Sequence, residues 1–364
     1  MPGPLDGIRV LEAASFIAGP YAALLLGKLG ADVVKIEPPV AGDPSRAWAE
    51  GGDSPWFAAH NGGKRSLTLD LRAPGAAPIV ASLVRRADVL VENYRPGVAE
   101  RLGIGYERLR SVNPRLVYCG ISAVGVTGPD AALPGFDTVG QALSGLMSLL
   151  SSADDPAPVG PALSDTAAGM IAALGVTAAL HARSQTGRGQ RVDTSLLAAS
   201  LGLVPEALAL YREAGLVLDR FARARVAQIY LFRCRDGLVL AVHLSSPEKF
   251  WHALVRVAGR EDLLADPRYR ARGDRIRNYD QLRQELAPIF GSAARGDWLS
   301  RLRRADVPSA PVHTIDQAFA DPLVRDAMGP ALPAPALGQH TEEILGELGH
   351  GAADIERLRG AGII

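Results

Sequence analysis

The feature that most constrains the fold is a strand–helix–strand pattern at the start of the chain. Residues 7–12 show a short apolar strand pattern, residues 21–29 a helix pattern that Gly30 ends, and residues 32–37 a second strand pattern. Two strands joined by a helix within roughly 30 residues are typical of the βαβ unit, whose strands are parallel. Further strands are predicted at 66–71, 88–92 and 116–122, with a helix near 78–86. The first half therefore predicts an α/β domain with a doubly wound parallel sheet.

A change of pattern after residue 197 predicts a second domain. Residues 201–214 are typical of one long helix, and residues 230–234 and 238–242 predict two strands joined by a turn at 235–237. Helices are predicted at 247–257, 281–290 and 297–304. We expect a large Rossmann-like domain over 1–224, a small α+β domain over 225–315, and a C-terminal segment, 316–364, that returns to the large domain.

Charge and cysteine content exclude several classes of partner. Lys plus Arg and Asp plus Glu each number 39, so the formal net charge is zero and neither a nucleic acid nor a membrane is an expected partner. Cys119 and Cys234 are far apart and follow no metal-ligand or redox spacing, so no metal site or disulfide framework is expected. The start shows no signal-peptide pattern, and a reducing, cytoplasmic setting is the expectation.

Asp165 is the candidate catalytic residue that the local pattern indicates. It stands with Ser164 at the start of an apolar run that contains Met170, Ile171 and Leu174, and we expect a helix buried on most faces. The backbone amides of the first helical turn are then expected near the Asp165 carboxylate. Two interpretations stay open at this point: a helix cap or a catalytic carboxylate.

Polar loops at the strand ends carry cations beside the flat ring of Tyr94. Together these cations would suit a phosphorylated nucleotide, although any one of them alone is more typical of a solvated surface. The cations are Lys64, Arg65, Arg95 and Arg101. Glu37 ends the second strand, where a Rossmann dinucleotide site carries its ribose-binding acid, but the first turn lacks Gly-x-Gly-x-x-Gly and disfavours that site.

Several motifs, together and in order, resemble the class III CoA-transferase family, the group of formyl-CoA transferase and carnitine CoA-transferase. They lie at residues 4–11, 18–20, 29–37, 61–66, 87–97, 186–190 and 338–345, and so cover nearly the whole chain. The resemblance implies a Rossmann-like large domain, a smaller domain and an interlocked homodimer. It also implies coenzyme A, as acyl-CoA, and a carboxylic acid as the substrates, with no metal.

The same resemblance places the site residues. Asp165 stands at the position of the family's nucleophilic aspartate. CoA is expected to lie along Ile17, Ala18, Leu69, Asp70, Leu71, Arg72, Asn93, Tyr94, Arg95 and Arg101. Pro38 stands where some members have an arginine for the nucleotide, and no glycine-rich loop of the formyl-CoA transferase kind lies between 215 and 240.

Phe136 favours transfer over racemisation. The chain also resembles the 2-methylacyl-CoA racemases, which carry a His-Asp pair where this chain has Phe136 and Asp137. Phenylalanine cannot carry a proton, so two-base proton transfer loses a partner while attack by a carboxylate loses nothing. Asp137 is expected to cap the helix that follows it. A racemase or epimerase and a non-catalytic CoA-binding protein stay as alternatives.

The expected reaction moves CoA from an acyl-CoA to a carboxylic acid through anhydride and aspartyl-CoA thioester intermediates on Asp165. The helix start is expected to keep this carboxylate ionised and to stabilise oxyanions. Small residues nearby fit either close approach of the substrate or close helix packing; they are Gly160, Ala162, Ala167, Ala168 and Gly169. No residue selects the acid. Arg46, Arg223 and Arg225 are candidates to pair the second carboxylate of a diacid, although surface charge is their commoner role.

Overall fold

The computed structural model describes residues 2–50, 54–152, 154 and 156–364. The chain divides into two compact units, of which the first comprises Met1–Leu216 and Ala331–Ile364 and the second Val217–Pro330. The predicted limits of the small domain, 225 and 315, both lie inside the second unit.

The strands form two sheets. Within the described residues they are β1 (Arg9–Ala13), β2 (Asp32–Glu37), β3 (Arg65–Thr68), β4 (Val89–Glu92), β5 (Val117–Ser122), β6 (Arg191–Ser195), β7 (Ile229–Arg233), β8 (Val239–His243) and β9 (Ser309–Pro311).

Helices make up most of the remaining regular structure. Those of the first unit are α1 (Ala18–Lys28), α2 (Pro55–Asn61), α3 (Ala76–Arg86), α4 (Val98–Arg101), α5 (Tyr106–Val112), α6 (Asp137–Leu143), α7 (Leu146–Leu150), α8 (Leu163–Thr186), α9 (Leu196–Gly202), α10 (Pro205–Ala214), α18 (Thr341–Glu347) and α19 (Ala352–Gly360). Those of the second unit are α11 (Ala222–Ala227), α12 (Glu248–Val257), α13 (Arg272–Arg277), α14 (Tyr279–Phe290), α15 (Arg295–Arg304), α16 (Ile315–Ala320) and α17 (Pro322–Met328). Short 3-10 helices lie at Pro44–Trp48 and Glu261–Leu264.

The first unit contains a parallel sheet of strand order β3-β2-β1-β4-β5-β6. Val10 of β1 lies opposite Val33 on one side and Val89 on the other. This order is that of the doubly wound Rossmann-like fold, so the predicted fold class is confirmed. The sequence analysis missed β6, an edge strand with only Ser195 fully buried. It also joined α9 and α10, which are separate because Pro205 begins the second helix and cannot continue the first.

Both faces of this sheet are covered by helices. Successive side chains of a strand point to opposite faces, so each strand contributes to both cores. Val10 packs in a core with α1 and α8, and its neighbour Leu11 packs in a second core with α3 and α18. The strands are accordingly apolar on both faces, as expected of a buried parallel sheet.

Helix α8 is a core helix with one exposed apolar face. It has 24 residues, a mean hydropathy of 1.5 over its most apolar window and 56% of that window buried. Among the described residues it is the one helix long and apolar enough to cross a membrane, a test that core helices also pass. Met170, Ile171 and Leu174 are 50%, 40% and 69% exposed. The expectation that these residues are buried was wrong, because the opposite face of α8 is the one packed in the core.

The second unit is built on the antiparallel sheet β7-β8-β9. Tyr230 lies opposite Val242 across the predicted hairpin, which is confirmed. The core is aromatic, with the rings of Phe232 and Phe290 stacked at 4.2 Å and Trp298 against Phe290 at 4.7 Å. This unit is therefore an α+β arrangement with a hydrophobic core of its own.

Candidate active site

The candidate site is a cavity at the carboxyl ends of the parallel strands. Its walls are formed by the loops that follow β1, β4 and β5, together with the starts of α1, α8 and α9. The strand order reverses between β1 and β4, and open α/β sheets bind ligands at such a switch point. The cavity has a volume of about 370 Å³, within the usual range for small-molecule sites.

The cavity brings six of the predicted site residues together. Asp165 shares it with five residues of the expected CoA site: Ile17, Ala18, Asn93, Tyr94 and Arg95. The remaining lining residues are Ser15, Phe16, Val98, Ile121, Ser122, Ala123, Gly135, Phe136 and Leu196. Residues 69–72 and Arg101 are not part of this lining, so a CoA contact at those positions stays a prediction.

Side chains from other elements fix the loop between β1 and α1. Asn93 accepts a hydrogen bond from the Ser15 amide at 2.9 Å and donates one to the Ser15 carbonyl at 2.8 Å. Phe16 has a φ of 67°, an uncommon left-handed conformation for a non-glycine residue. Its amide donates to Asp43 at 3.3 Å. Asn93 and Asp43 thus fix the loop where it lines the cavity.

A buried ion cluster lies behind this loop and supports Asp43. Lys35 Nζ lies 2.6 Å from Glu12 and 2.9 Å from Asp43, and Lys64 Nζ lies 2.6 Å from the other oxygen of Glu12. Burial opposes charge on both lysines. At Lys35 the carboxylates outweigh burial and raise the pKa, whereas burial lowers the pKa of Lys64 to about 8. Removing one member would leave an uncompensated buried charge.

Two of the four loop cations expected to suit a nucleotide are engaged elsewhere. Lys64 is 4% exposed and paired as described, so it is neither a phosphate ligand nor a solvated charge. Arg65 pairs with Asp32, Glu343 and Glu347. The prediction that these two cations serve a phosphorylated nucleotide was therefore wrong.

Arg46 and Glu37 also neutralise each other. Arg46 Nε and Nη2 donate to the two oxygens of Glu37 at 2.7 and 2.8 Å, and the guanidinium lies 3.6 Å from the centre of the Phe57 ring. Ser66 donates to Glu37 as well, at 2.7 Å. Glu37 is thus a structural ion-pair partner, and Arg46 is not free to bind a diacid. In the second unit, Arg225 is paired with Asp219.

Asp137 caps the helix that carries Asp165. Oδ1 of Asp137 accepts the Ser164 amide at 2.7 Å and the Asp165 amide at 3.2 Å, and Oδ2 accepts Gln141 Nε2 at 2.6 Å. Asp165 lies in the first turn of α8, and Ala162 is the N-cap residue. Of the two interpretations left open for Asp165, the helix cap is therefore wrong. The expectation that Asp137 caps its own helix was also wrong, because it caps α8.

Burial and the neighbouring Asp137 charge raise the pKa of Asp165 to about 7. The expectation that the helix start keeps Asp165 fully ionised was therefore wrong, because the amides that would favour the charge are bonded to Asp137. A carboxyl group with a pKa near neutrality is a frequent mark of a functional site. At neutral pH it exists in both forms, so it can act as a nucleophile or exchange a proton.

Most of the small residues near Asp165 serve helix packing. Ala167, Ala168 and Gly169 are buried in the contact between α8 and α1, and a Cβ added at Gly169 would lie 2.9 Å from the Ala18 carbonyl oxygen. A Cβ added at Gly160 would meet nothing within 4 Å. Of the two explanations left open for these small residues, helix packing therefore accounts for Ala167, Ala168 and Gly169, which lie inside α8.

Sequence reasoning missed Phe16, Ser15 and the role of Asp137. The Phe16 ring meets the Phe136 ring edge to face, with 5.4 Å between centroids, and both rings line the cavity. No local pattern indicates these contacts, since they join residues far apart in the chain. The described residues contain no group of three or more His, Cys, Asp or Glu side chains arranged to hold a metal ion.

Comparison with known proteins agrees with this geometry. The family model described as CoA-transferase family III matches residues 5–331. The acetyl-CoA:oxalate CoA-transferase of Acetobacter aceti is 35% identical, over 87% of this chain and 82% of that protein. The succinyl-CoA:glutarate CoA-transferase of Mus musculus is 31% identical, over 99% of this chain and 90% of that protein.

A solved structure supports the same assignment. The crystal structure of a CAIB/BAIF family protein from Brucella suis has a TM-score of 0.85 and 30% identity, covering 96% of this chain and all of that one. The fold and the cavity define an α/β enzyme of CoA-transferase type. The chain belongs to CoA-transferase family III.

Proposed function

We propose that this enzyme transfers CoA between an acyl-CoA and a carboxylic acid with Asp165 as the nucleophile. The observation that carries the proposal is that Asp165 is the one carboxylate among the described residues of the cavity lining at the switch point of the sheet. Family membership supports CoA thioesters as substrates. The relatives named above act, by their names, on acetyl-CoA with oxalate and succinyl-CoA with glutarate.

The proposed reaction begins with attack of an Asp165 carboxylate oxygen on the donor's thioester carbonyl. The carbon–sulfur bond breaks, which leaves a mixed anhydride and the CoA thiolate. The thiolate attacks the Asp165 carboxyl carbon, releases the donor acid as a carboxylate and leaves an aspartyl-CoA thioester. The acceptor carboxylate attacks that thioester to form a new anhydride and thiolate. Attack of the thiolate on the acceptor's acyl carbon gives the product acyl-CoA and restores Asp165.

A carboxylate suits this reaction because both of its acyl intermediates, anhydride and thioester, are activated. The free energy of the donor thioester is therefore kept for the acceptor. Both intermediates hydrolyse in water, and the burial that raises the pKa of Asp165 also limits access of water to it. The same site is thus suited to forming the intermediates and to protecting them.

Phe136 disfavours the racemase alternative. It is 64% exposed, lines the cavity and adjoins Asp137, so an apolar ring occupies the place where two-base chemistry would need a proton carrier. Incubation of an acyl-CoA in heavy water tests this point, since a racemase introduces deuterium at the α-carbon. We expect no deuteration that depends on Asp165.

We further propose that CoA follows Ile17, Ala18, Asn93, Tyr94 and Arg95 into the cavity, and that two chains form an interlocked homodimer. The exposed apolar face of α8 supports the dimer. A cytoplasmic setting is also proposed, because both cysteines, Cys119 and Cys234, are buried free thiols.

Replacement of the nucleophile tests the main proposal. Asp165→Ala is expected to lower turnover by at least about 1,000-fold, as is common when a covalent nucleophile is removed. The measurement is formation of new thioesters by mass spectrometry from acetyl-CoA or succinyl-CoA and a panel of acids. Asp130→Ala, at an exposed carboxylate of the same unit, is the matched control and should retain turnover.

Trapping with hydroxylamine gives an independent result. An anhydride or thioester on Asp165 is expected to yield a hydroxamate on the peptide that contains this residue. A label on a different residue, or full turnover by Asp165→Ala, would refute the nucleophile assignment.

A further inference from the structure

Among the described residues that line the cavity beside Asp165, no cation is left for a second carboxylate once Arg95 binds CoA as proposed. Of the described residues that line it, Arg95 alone carries a positive charge, and the proposed function assigns Arg95 to CoA. Arg46, a candidate from the sequence, donates hydrogen bonds to both Glu37 oxygens at 2.7 and 2.8 Å and to the Pro335 carbonyl at 3.2 Å. A dicarboxylate entering this site would keep its second charge without a partner, which is costly away from water.

The charge next to the nucleophile adds to this cost. Asp137 lies at the start of α8 with its carboxylate on the Asp165 amide, and its negative charge already opposes the charge of Asp165. A second anionic group on the substrate would meet the same repulsion. The electrostatics at this end of the cavity therefore favour an acid with one carboxylate, the one consumed in the reaction.

An aromatic pair, Phe16 and Phe136, lines the same cavity as Asp165. Phe136 directly precedes Asp137 and is 64% exposed, and its ring meets Phe16 edge to face at 5.4 Å and 83°. Phe16 is fixed in turn by its hydrogen bond to Asp43 and by contact with Trp48 at 5.8 Å. Rings in edge-to-face contact retain an open face or edge that a further ring can pack against.

We propose that the acid to which this enzyme transfers CoA is an aromatic monocarboxylic acid, bound with its ring against Phe16 and Phe136. The inference rests on the proposed CoA transfer and names its substrate class. It differs from the dicarboxylates in the names of several relatives, which are 29–36% identical to this chain. Phe136 is then a residue that determines specificity through contact with the ring of the substrate.

Comparison of acids tests the substrate class on the wild-type enzyme. In separate reactions, acetyl-CoA is offered with phenylacetate, benzoate, succinate and glutarate, and succinyl-CoA with phenylacetate, benzoate, glutarate and acetate. The new thioesters are quantified by mass spectrometry. We expect kcat/KM for phenylacetate or benzoate to exceed that for glutarate by about tenfold or more, the ratio that burial of one ring provides. Preference for succinate or glutarate would overturn the substrate class and leave CoA transfer standing. Formation of no thioester from any acid would overturn the proposed function and this inference with it.

Substitution of Phe136 tests the contact. Phe136→Ala is expected to raise KM for the aromatic acid about tenfold and to lower the ratio of kcat/KM for the aromatic acid to kcat/KM for acetate by a similar factor. Leu29→Ala, at an apolar residue that is 36% exposed and outside the cavity lining, is the control and should change neither value. Equal changes for the aromatic acid and acetate would contradict a specific ring contact, and so would no change at all. Phe136→Leu keeps an apolar side chain and should give an intermediate KM.

Discussion

Two effects favour the protonated form of Asp165. Burial favours the neutral acid, and the charge of Asp137 favours it further. The proposed reaction needs the carboxylate, so the proposed nucleophile is available only in part at neutral pH. A weakly solvated carboxylate is in return a stronger nucleophile than one stabilised by several amides.

This arrangement predicts the pH dependence of the first half-reaction. Since the pKa of Asp165 is raised to about 7, the ionised fraction increases with pH below that value and is nearly constant above it. We expect kcat/KM for the acyl-CoA donor to rise about tenfold per pH unit below pH 7 and to level off at higher pH. A profile that is flat between pH 5 and pH 8 would contradict a role for this ionisation.

Asp137→Asn should move that profile toward lower pH. The substitution removes the negative charge but keeps an oxygen that can accept the Ser164 amide. Burial still raises the pKa of Asp165, so the midpoint should remain above the ordinary aspartate value of 3.8. Asp130→Asn is the matched control and should leave the midpoint unchanged. An unshifted profile in Asp137→Asn would mean that the charge of Asp137 has no effect on the nucleophile.

At the scale of elements, the packing of α8 on α1 places Asp165, the proposed nucleophile. Gly169 lies at this contact, where a Cβ would be 2.9 Å from the Ala18 carbonyl oxygen, 2.9 Å from the Tyr21 ring and 3.2 Å from the Ala22 amide. Backbone atoms cannot move aside as a flexible side chain can. The close approach therefore requires glycine, and it fixes the distance of Asp165 from the loop after β1.

Gly169→Ala is expected to destabilise the protein by about 1–3 kcal/mol, the usual cost of overpacking a core, despite the better helix propensity of alanine. Thermal or denaturant unfolding measures the change. The matched control is Gly202→Ala at the end of α9, where an added Cβ meets nothing within 4 Å. We expect this control to change stability by less than about 1 kcal/mol. Equal effects of both substitutions would show that helix packing at Gly169 is not the cause.

The strands that the sequence predicted well are those whose local pattern matches their buried surroundings. In β2 and β5 nearly every residue is buried, so the apolar pattern alone indicates them. Edge strand β6 is half exposed, and neither β6 nor α2 was predicted. A fully buried strand has an apolar composition that predicts it, whereas a half-exposed edge strand has no such composition.

The site was predictable only in part, for a related reason. Asp165 was found through the order of motifs, and its place at the start of a helix follows from the apolar run behind it. The hydrogen bond from its amide to Asp137 joins residues 28 apart, and the ring contact between Phe16 and Phe136 joins residues still further apart. Such contacts depend on how the helices pack, which periodicity does not specify.

At the scale of the whole molecule, several helices present apolar side chains that the single chain does not cover. Within the first unit, α10 has no buried residue, and its Leu208 and Tyr211 are 45% and 63% exposed. Within the second unit, α16 and α17 also have no buried residue, and Ile315 and Leu323 are 85% and 79% exposed. Exposed apolar side chains of this kind make the helices of each unit candidates for an interface.

The proposed homodimer should cover part of this surface, and Leu174 on α8 provides a test. The Leu174 side chain is 69% exposed, and Met170 and Ile171 of the same helix are exposed as well. If this face of α8 lies in the dimer interface, a charge at position 174 would be buried without a partner. We expect the wild-type chain of 38.3 kDa to have twice that mass in light scattering, and Leu174→Glu to shift the mass toward the monomer. Val40→Glu, at an apolar residue that is 97% exposed, is the control and should remain dimeric. A monomeric wild type would contradict the dimer, and a dimeric Leu174→Glu would place its interface away from α8.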